Sequence, residues 1–298
     1  MVEKCEGYKI ETNRNNQKPN IGFQKYLYTV LNKNSSIINE LYIGNNEIVT
    51  ELLISENRKY DVIYIDPPYN ALDSGGMLSE KKVSDEIWMK YIYKILSKAK
   101  ILLSKRGIIF ISINDQEAAE TRIICNNIFG KNNFMAQIVR KRTNEVPKSA
   151  KIFARVHEYI LVFAVNAIDI YTEWSKKAVS TWWDASGYDS DAKKDIEDIF
   201  GEIVFDYAKP VKLIKQLLSI FDKPDLNVLD LYAGSGTTAQ AIFSMNNEDN
   251  GKRRFTLVQK KEIYMGKDIS DICLKRIELV MRRYNVQNGC VVYQIIDN

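Results

Sequence analysis

Apolar runs of strand length alternate along the chain with longer segments in which apolar residues recur at helical spacing. The runs at 61–65, 107–113, 159–165, 227–231 and 255–259 predict strands. The segments at 85–103, 116–129, 209–221, 237–245 and 269–283 predict helices. The strands are continuous rather than alternating in apolar character, which is typical of parallel strands buried on both faces. The pattern therefore predicts an α/β fold with a mostly parallel, doubly wound sheet.

The alternation fails in two places, which divides the chain into four segments. Residues 1–35, rich in Asn and Lys, predict a weakly ordered or docking arm. Residues 166–207 carry three tryptophans and a stretch rich in Ser, Asp and Gly without a clear period, which indicates an insertion or small subdomain. Segments 36–165 and 208–298 then form the two halves of the α/β domain.

The amino-acid composition disfavours several classes of protein and site. The 298 residues are 45% hydrophobic and 27% charged, as in a globular protein. The apolar stretches fall short of the ~20 residues that a bilayer span needs, so we expect a cytoplasmic protein without membrane association. Four scattered cysteines disfavour a disulfide framework or a zinc site. The single histidine, His157, disfavours hydrolysis by a Ser-His-Asp triad, and we expect no metal centre.

The sequence Asp66-Pro67-Pro68-Tyr69 directly follows the predicted strand 61–65. Two prolines remove two backbone donors and fix two φ angles, so the carbonyls before them are held rigid. They lie at the carboxyl end of a strand, where open parallel sheets bind their ligands. An acid, a fixed carbonyl and an aromatic face together suit a planar base with an exocyclic amine. The alternative is a strand-terminating turn with a surface tyrosine.

A second motif, residues 228–238, runs from a predicted strand through a glycine turn into a helix that begins at Thr237. The bare backbone of the glycines and the positive end of the helix dipole suit a bound ligand. Ala239 also permits a dinucleotide fingerprint of the type Gly-x-Gly-x-x-Ala. Gln259 stands where the acid of such a site is expected. On the residues alone, a dinucleotide-dependent oxidoreductase stays an alternative.

The two motifs in this order, with Lys209-Pro210 before the second, resemble the permuted arrangement of β-class amino-methyltransferases that act on DNA. Segments 44–46, 109–115, 157–161 and 246–259 resemble the modification subunits of type III restriction-modification systems. The resemblance implies a Rossmann-like methyltransferase fold, S-adenosyl-L-methionine as the methyl donor, and N6 of a flipped adenine in duplex DNA as the acceptor. Type III subunits are generally longer than this chain, so a compact solitary or type II-like enzyme is also open.

The resemblance also implies a role for each motif. Asp66 and the Pro67 carbonyl would accept the two amine protons, Pro68 would keep the corner rigid, and Tyr69 would stack on the base. The expected cofactor-binding residues are Asn45, Asn46, Asp66, Lys209, Asp230, Ala233, Gly234, Ser235, Gly236, Thr237, Thr238 and Gln259. Thr237 and Thr238 are expected to donate hydrogen bonds there, and Lys209 to reach the carboxylate of the donor.

Segment 140–155 holds six basic residues against one acid, although the net charge of the chain is only +4. We expect this segment to follow DNA phosphates, and the insert 166–207 to read the sequence. The DNA-binding candidates are Arg140, Lys141, Arg142, Lys148, Lys151, Arg155 and Tyr159. Tyr159 would be a second aromatic against the base, or else a core residue. The helix with Arg276, Arg282 and Arg283 has either a solvated face or a DNA contact.

The expected partner is double-stranded DNA, with a homodimer and a cognate restriction subunit as further candidates. Two alternatives to adenine methylation stay open. The first is methylation of another amine: cytosine N4 of DNA, which is also exocyclic, or an amine of RNA or of a protein glutamine. The second is a non-catalytic DNA-binding subunit of a methyltransferase complex.

Overall fold

The computed structural model describes residues 8–9, 23–32, 37–69, 84–146, 152–173 and 178–297. The strands are β1 (Tyr8–Lys9), β2 (Phe23–Leu31), β3 (Ile38–Ile43), β4 (Tyr60–Ile65), β5 (Leu103–Ile113), β6 (Phe134–Lys141), β7 (His157–Ala164), β8 (Trp182–Trp183), β9 (Asn227–Asp230), β10 (Arg254–Gln259), β11 (Ile263–Tyr264), β12 (Lys267–Asp268) and β13 (Gly289–Asp297). The helices are α1 (Asn46–Ser55), α2 (Asp85–Leu102), α3 (Ala118–Phe129), α4 (Ala167–Glu173), α5 (Asp189–Phe200), α6 (Val211–Leu218), α7 (Thr237–Asp249) and α8 (Ile269–Arg283), with a 3₁₀ turn at Lys131–Asn133.

One large mixed sheet organises the described residues. Its strand order is β1-β2-β13-β3-β10-β9-β4-β5-β7-β6-β8, and β11 and β12 form a separate hairpin. The strands from β13 through β5 are parallel to their neighbours, whereas β7 runs antiparallel to both β5 and β6. The predicted α/β class with a mostly parallel sheet is therefore confirmed.

Each central strand is buried on both faces, and alternate residues enter different cores. In β4, Val62 and Tyr64 pack with residues of α6, α7 and α8. Ile63 and Ile65 point the other way and pack with residues of α1, α2 and α3. Because successive side chains of a strand point to opposite faces, a strand between two helical layers must be apolar at nearly every position. This explains the continuous apolar runs in the sequence.

The five predicted strands and five predicted helices are all present, with shifted ends. Strand β5 begins at Leu103, earlier than predicted, and α6 begins at Val211 because Pro210 occupies the N-cap position. The sequence pattern did not predict β3, α1 or β6. No helix in the described part of the chain is long and apolar enough to cross a membrane.

Of the two predictions for the arm, weak order or docking, residues 23–31 fit docking onto the sheet. They form β2, which pairs antiparallel with β13 from Phe23↔Asp297 to Leu31↔Cys290. Strand β13, which the sequence did not predict, also pairs parallel with β3. The chain end thus fills a place inside the sheet and gives β2 a partner. Apart from residues 8–9, the arm before residue 23 lies outside the described residues.

Segment 166–207, expected as an insertion, packs onto the domain. Strand β8 extends the sheet beside β6, and α5 buries Ala192 and Ile196 in a cluster with Ile269 and Ile272 of α8. Trp183 is buried, whereas Trp182 is 60% exposed. These contacts tie the segment to the last helix and to the sheet edge. Its role in target recognition stays a prediction.

Candidate active site at the carboxyl edge of β4 and β9

The two sequence motifs emerge side by side. Strand β9 continues through α7 to β10 on one side, and β4 continues through α2 to β5 on the other, so the connections diverge between β9 and β4. Open parallel sheets bind ligands at such a switch point. Tyr64 of β4 is the register partner of Asp230 of β9. The residues after each strand, 66–69 and 231–236, therefore lie at the same edge.

The double-proline corner is held from behind by helix α2. The indole Nε1 of Trp88 donates a hydrogen bond of 3.0 Å to the carbonyl of Pro68, and both Trp88 and Pro67 are buried. The Pro68 carbonyl lies after the end of β4, and the indole donor fixes its direction. Sequence reasoning missed Trp88, whose only signal is its position on the apolar stripe of α2. This hydrogen bond holds one carbonyl of the corner, and the rigidity of the corner stays a prediction.

Asp66 faces the edge and is partly accessible, with 22% of its side chain exposed. Its Oδ1 accepts a hydrogen bond of 3.1 Å from the Tyr69 hydroxyl and lies 3.2 Å from Lys209 Nζ. Burial raises the pKa of Asp66, and the neighbouring Lys209 ammonium opposes that rise. The carboxyl group is thus placed where it can accept hydrogen bonds and hold a proton more readily than an ordinary aspartate.

Lys209 lies between two carboxylates. Its Nζ is 2.8 Å from Glu158 Oε2 as well as 3.2 Å from Asp66 Oδ1. Its backbone carbonyl accepts a hydrogen bond of 3.1 Å from Thr237 Oγ1, which links this residue to the second motif. The ammonium is thus paired within the chain, and its contact with the carboxylate of a methyl donor stays a prediction.

Arg140 is buried with none of its side chain exposed, and it forms an ion pair of 2.7 Å with Glu158. Its other terminal nitrogen donates to the Gly187 carbonyl at 2.9 Å and lies 3.2 Å from Asp189. The prediction that Arg140 contacts DNA phosphates is therefore wrong. A guanidinium must be accessible to reach a phosphate, and this one neutralises acids inside the protein.

The remaining basic candidates differ in accessibility. Arg142 is 39% exposed and pairs with Asp189 at 2.7 Å. Arg155 is exposed and Lys141 is half-buried. Lys148 and Lys151 lie outside the described residues. Lys141 and Arg155 flank the connection between β6 and β7, which emerges at the same edge as Asp66.

The glycine turn has the open backbone that the sequence predicted. Gly234 and Gly236 have φ of 53° and 85°, in the left-handed region that favours glycine. A Cβ on Gly236 would lie 3.2 Å from Cys273 Sγ, so α8 packs tightly against this residue. A Cβ on Gly234 would meet only Phe205, at 3.9 Å. The turn is thus closed against α8 and open beside Gly234.

Asp230 anchors the turn. Its Oδ1 accepts from the Tyr232 backbone N–H at 3.0 Å, and its Oδ2 accepts from Thr238 Oγ1 at 2.6 Å. Burial raises the pKa of Asp230 to about 7. Since Thr238 donates to Asp230 and Thr237 donates to the Lys209 carbonyl, both hydroxyl hydrogens are used. The two hydroxyls therefore build the turn, and donation from Thr237 and Thr238 to a cofactor stays a prediction.

Two polar side chains hold the turn, Gln259 of β10 and Asn46 of α1. Gln259 Oε1 accepts from the Gly234 N–H at 2.8 Å, and its amide donates to the Lys260 carbonyl at 2.9 Å. The Asn46 side chain donates to the Leu231 carbonyl. Asn45 is exposed and caps α1 through Glu47 N–H at 2.8 Å. Gln259 and Asn46 contact the turn, and the contact of all three residues with a cofactor stays a prediction.

A buried arginine lies under the turn and was not predicted. Arg276 of α8 donates to Ser235 Oγ and Thr237 Oγ1, each at 2.9 Å, and to Gln240 Oε1 at 2.7 Å. Burial lowers its pKa to about 10. Neither reading of Arg276 from the sequence is correct, since it is neither a solvated residue nor placed for DNA. Arg282 and Arg283, at the exposed end of α8, stay open to both.

Tyr159 lies near the start of β7, where it is the register partner of Ile113 of β5. Its hydroxyl is 3.1 Å from His157 Nε2, and its ring packs partly against the core beside α3. The side chain is half-buried. The structure therefore places it near the site, and its contact with a base stays a prediction.

An open, mostly parallel sheet with two ligand-facing motifs at its switch point is typical of doubly wound α/β proteins that bind a nucleotide-like ligand. A protein-family model described as DNA methylase matches residues 60–277, and the chain belongs to this family. The Mod subunit of the type III restriction-modification enzyme StyLTI from Salmonella typhimurium is 25% identical over 76% of this chain and 52% of its own. The type II methyltransferase M.KpnI from Klebsiella pneumoniae is 26% identical over 82% of this chain and 88% of its own.

The chain thus spans about half the length of the type III subunit, and most of the type II enzyme. Two solved structures share the fold. The M1.HpyAVI-SAM complex superposes with a TM-score of 0.54 and 17% identity over 81% of this chain and 99% of that chain. The PvuII DNA methyltransferase, described as cytosine-N4-specific, superposes with a TM-score of 0.56 and 13% identity over 83% and 92%. The predicted methyltransferase fold and family are confirmed.

Proposed function

We propose that this protein transfers a methyl group from S-adenosyl-L-methionine to N6 of adenine in double-stranded DNA. One observation carries the proposal: the acid and fixed carbonyl of the double-proline corner lie beside the glycine turn, through the register pair Tyr64 and Asp230. The proposed site for the methyl acceptor and the proposed site for the methyl donor therefore lie at one edge of the sheet. Membership of the DNA methylase family supports DNA as the substrate.

The residues of the turn fit the donor. The space beside Gly234 is open, and the backbone there is fixed by Gln259 and by the Asp230 network. We propose that the backbone of 233–236 holds the methionine part and that the edge formed by Asn45 and Gln259 holds the adenosine part. When bound, the donor supplies an electrophilic methyl group. The M1.HpyAVI-SAM complex, with the same fold, supports this cofactor.

Asp66 and Pro67 orient the acceptor. The lone pair of an adenine amine is delocalised into the ring, so the free amine is a poor nucleophile. Hydrogen bonds from its two protons to the Asp66 carboxylate and the Pro67 carbonyl would localise the lone pair and aim it. In this structure the Tyr69 hydroxyl donates to Asp66 Oδ1, and the base would donate to the other oxygen of this carboxylate.

The same groups stabilise the charge that develops. Positive charge appears on the amine nitrogen as it is methylated, and the two fixed oxygen acceptors lie where that charge appears. The methylated amine then loses a proton. Because burial raises the pKa of Asp66, its carboxylate is suited to accept that proton. No histidine is required for this step.

We propose that the target base leaves the duplex to reach Asp66, at a cost of a few kcal/mol. Stacking on the Tyr69 ring, about 1 to 3 kcal/mol, offsets much of that cost. Tyr159 would cover the other face of the base. Lys141, Arg142 and Arg155, with Lys148 and Lys151, would hold the phosphates, and residues 166–207 would read the sequence.

The partners besides DNA depend on whether the protein belongs to a restriction-modification complex or methylates alone. The similarity to a Mod subunit supports a cognate restriction subunit, and the similarity to M.KpnI supports an enzyme that methylates alone. We propose a cytoplasmic location, where DNA is accessible, and a homodimer as the assembly. Light scattering of the purified protein with and without duplex DNA measures the assembly directly.

The experiment for the proposed function is a product analysis. The purified protein is incubated with deuterium-labelled donor and unmethylated plasmid DNA, and the nucleosides are separated by mass spectrometry. We expect labelled N6-methyl-2′-deoxyadenosine. Labelled N4-methylcytosine would instead establish the alternative that the PvuII likeness favours. No labelled nucleoside, together with intact DNA binding, would support the non-catalytic subunit.

A further inference from the structure

Glu158 is a buried carboxylate at the site with no role in the function proposed above. Only 1% of its side chain is exposed. Each of its oxygens has a different cation as a partner: Oε1 pairs with Arg140 at 2.7 Å, and Oε2 pairs with Lys209 at 2.8 Å. Burying a carboxylate is unfavourable unless it is paired and hydrogen-bonded, so two cations at this position indicate a held arrangement.

The Lys209 ammonium has three N–H donors and three acceptors around it. They are Glu158 Oε2 at 2.8 Å, Asp66 Oδ1 at 3.2 Å and the Tyr69 hydroxyl at 3.3 Å. An ammonium with all three donors used has a defined position rather than a mobile one. Of these three acceptors, Glu158 is held in place independently of Lys209, because Arg140 pairs with its other oxygen inside the protein.

The described contacts of the Asp66 carboxylate, from Lys209 and Tyr69, both go to Oδ1. A carboxylate held through one oxygen presents the other in a fixed direction. That direction decides where an amine proton can be accepted. The Lys209 ammonium is the group that connects Glu158 to Asp66.

We propose that Glu158 is a positioning residue for methyl transfer: it seats Lys209 against Asp66 Oδ1, so that the second oxygen of Asp66 is aimed at the amine of the base. This inference rests on the proposed function, since it gives Asp66 the same role. Glu158 itself touches neither the base nor the donor. It acts on the reaction through Lys209.

Several charged or titratable groups face the cluster of Glu158, Lys209 and Asp66. The signs of their charges determine how the pKa of Asp66 shifts. Asp66 is affected by Lys209, Glu158, Tyr69, Tyr64 and Asp230, and Glu158 is also affected by Arg140 and Arg142. Burial disfavours ionisation of Glu158, but Lys209 and the two arginines outweigh it and hold its pKa at about 2. Glu158 is therefore charged at neutral pH, and its charge raises the pKa of Asp66.

The test compares Glu158→Gln with Lys209→Gln in the full chain. Turnover on unmethylated plasmid DNA is measured from acid to neutral pH, and donor binding is measured by calorimetry. In Glu158→Gln, the amide oxygen still accepts from Arg140, but Lys209 loses its anchor. We expect kcat to fall by about tenfold or more, with donor affinity within about twofold of wild type.

The two variants should move the acid limb of the kcat profile in opposite directions. Glu158→Gln removes a negative charge near Asp66 and should shift the limb to lower pH by roughly 0.5 unit or more. Lys209→Gln removes a positive charge and should shift it to higher pH. A merely structural role would lower activity without opposite shifts.

Glu248→Gln is the matched control. Glu248 also pairs with a lysine, Lys215, but it is more than half exposed and lies near the end of α7 that points away from the site. We expect wild-type kcat and an unchanged profile. Thermal unfolding of every variant checks the fold.

The outcomes separate this inference from the function on which it rests. If wild type yields no methylated base, the proposed function fails. If wild type is active and Glu158→Gln keeps its kcat and pH profile, only the positioning role is overturned. Loss of folding or of donor binding in both variants would assign Glu158 a structural role and would also overturn it.

Discussion

Tyr64 of β4 and Asp230 of β9 are register partners on neighbouring parallel strands. Adjacent strands lie about 4.8 Å apart, so the residues that follow each partner emerge next to each other. One strand leads into the double-proline corner and the other into the glycine turn. This single pairing brings together two motifs that are 164 residues apart in the sequence, counted from Asp66 to Asp230.

Trp88→Phe tests whether the corner must be rigid. The change removes the indole hydrogen bond to the Pro68 carbonyl and keeps most of the packing. A hydrogen bond of this kind contributes about 1 kcal/mol, so we expect kcat to fall about fivefold with donor affinity unchanged. Steady-state methylation kinetics and calorimetry measure the two effects.

Tyr60→Phe is the control for that variant. It removes a buried hydrogen bond of 3.1 Å from Tyr60 to Thr256. Tyr60 begins β4, the strand whose other end leads into the double-proline corner. We expect a similar loss of stability and normal turnover. Equal losses of kcat in both variants would show that general stability, and not the corner, sets the rate.

Arg276→Met tests the support beneath the glycine turn. The variant leaves Ser235, Thr237 and Gln240 without their buried donor. We expect a loss of about 3 kcal/mol in the free energy of unfolding, together with weaker donor binding. Urea denaturation and calorimetry provide the readouts. Arg282→Met, at an exposed position of the same helix, should leave both near wild type. Equal stability of the two variants would contradict the role of Arg276.

Asp230→Asn tests the raised pKa of the buried acid. Burial raises the folded-state pKa to about 7, above the ordinary value of 3.8. The stabilising contribution of the protonated acid is therefore fully present below pH 3.8 and is lost as pH rises through about 7. The free energy of unfolding of wild type, minus that of the variant, should fall by up to about 1.4 kcal/mol per pH unit between these values. Above about pH 8 the difference should be constant. Urea titrations from pH 5 upward measure it, and a difference independent of pH would refute the shift.

Lys141→Ala combined with Arg155→Ala tests the DNA surface. Each lost phosphate contact reduces the salt dependence, so the slope of log affinity against log salt should decrease by about 2. Fluorescence anisotropy with a labelled duplex at several salt concentrations measures this slope. Lys223→Ala with Lys252→Ala, at the opposite sheet edge, is the control and should keep the wild-type slope. The same slope in both double variants would place the DNA elsewhere.

The sheet and the site motifs were predictable because their signals are local. Continuous apolar runs identify strands with two buried faces, and the sequences 66–69 and 230–238 carry their own geometry through proline and glycine. Strand β6 was missed because Gln137 and Arg140 interrupt its apolar pattern, although Arg140 lies two residues after the buried Ile138.

The buried ion pairs could be inferred only in part. Arg140 and Glu158 are cross-strand partners of β6 and β7, and each continues an apolar face, next to Ile138 and Ile160. A charge in such a position must have a partner inside the protein. The same signal was present at Arg276, within the apolar stripe of α8. Which partner each charge selects depends on strand register, and the sequence alone does not contain that register.

The role of Asp66 is tested most directly by methylation with Asp66→Ala, compared with donor binding by the same protein. We predict that transfer of labelled methyl to DNA is abolished, while calorimetry shows donor affinity close to that of wild type. We expect the turn at Gly234 and the fold to be kept in this variant, because Asp66 is partly exposed at the carboxyl end of β4 and does not belong to the turn. Near-normal transfer by Asp66→Ala would contradict the proposal that this carboxylate orients the amine.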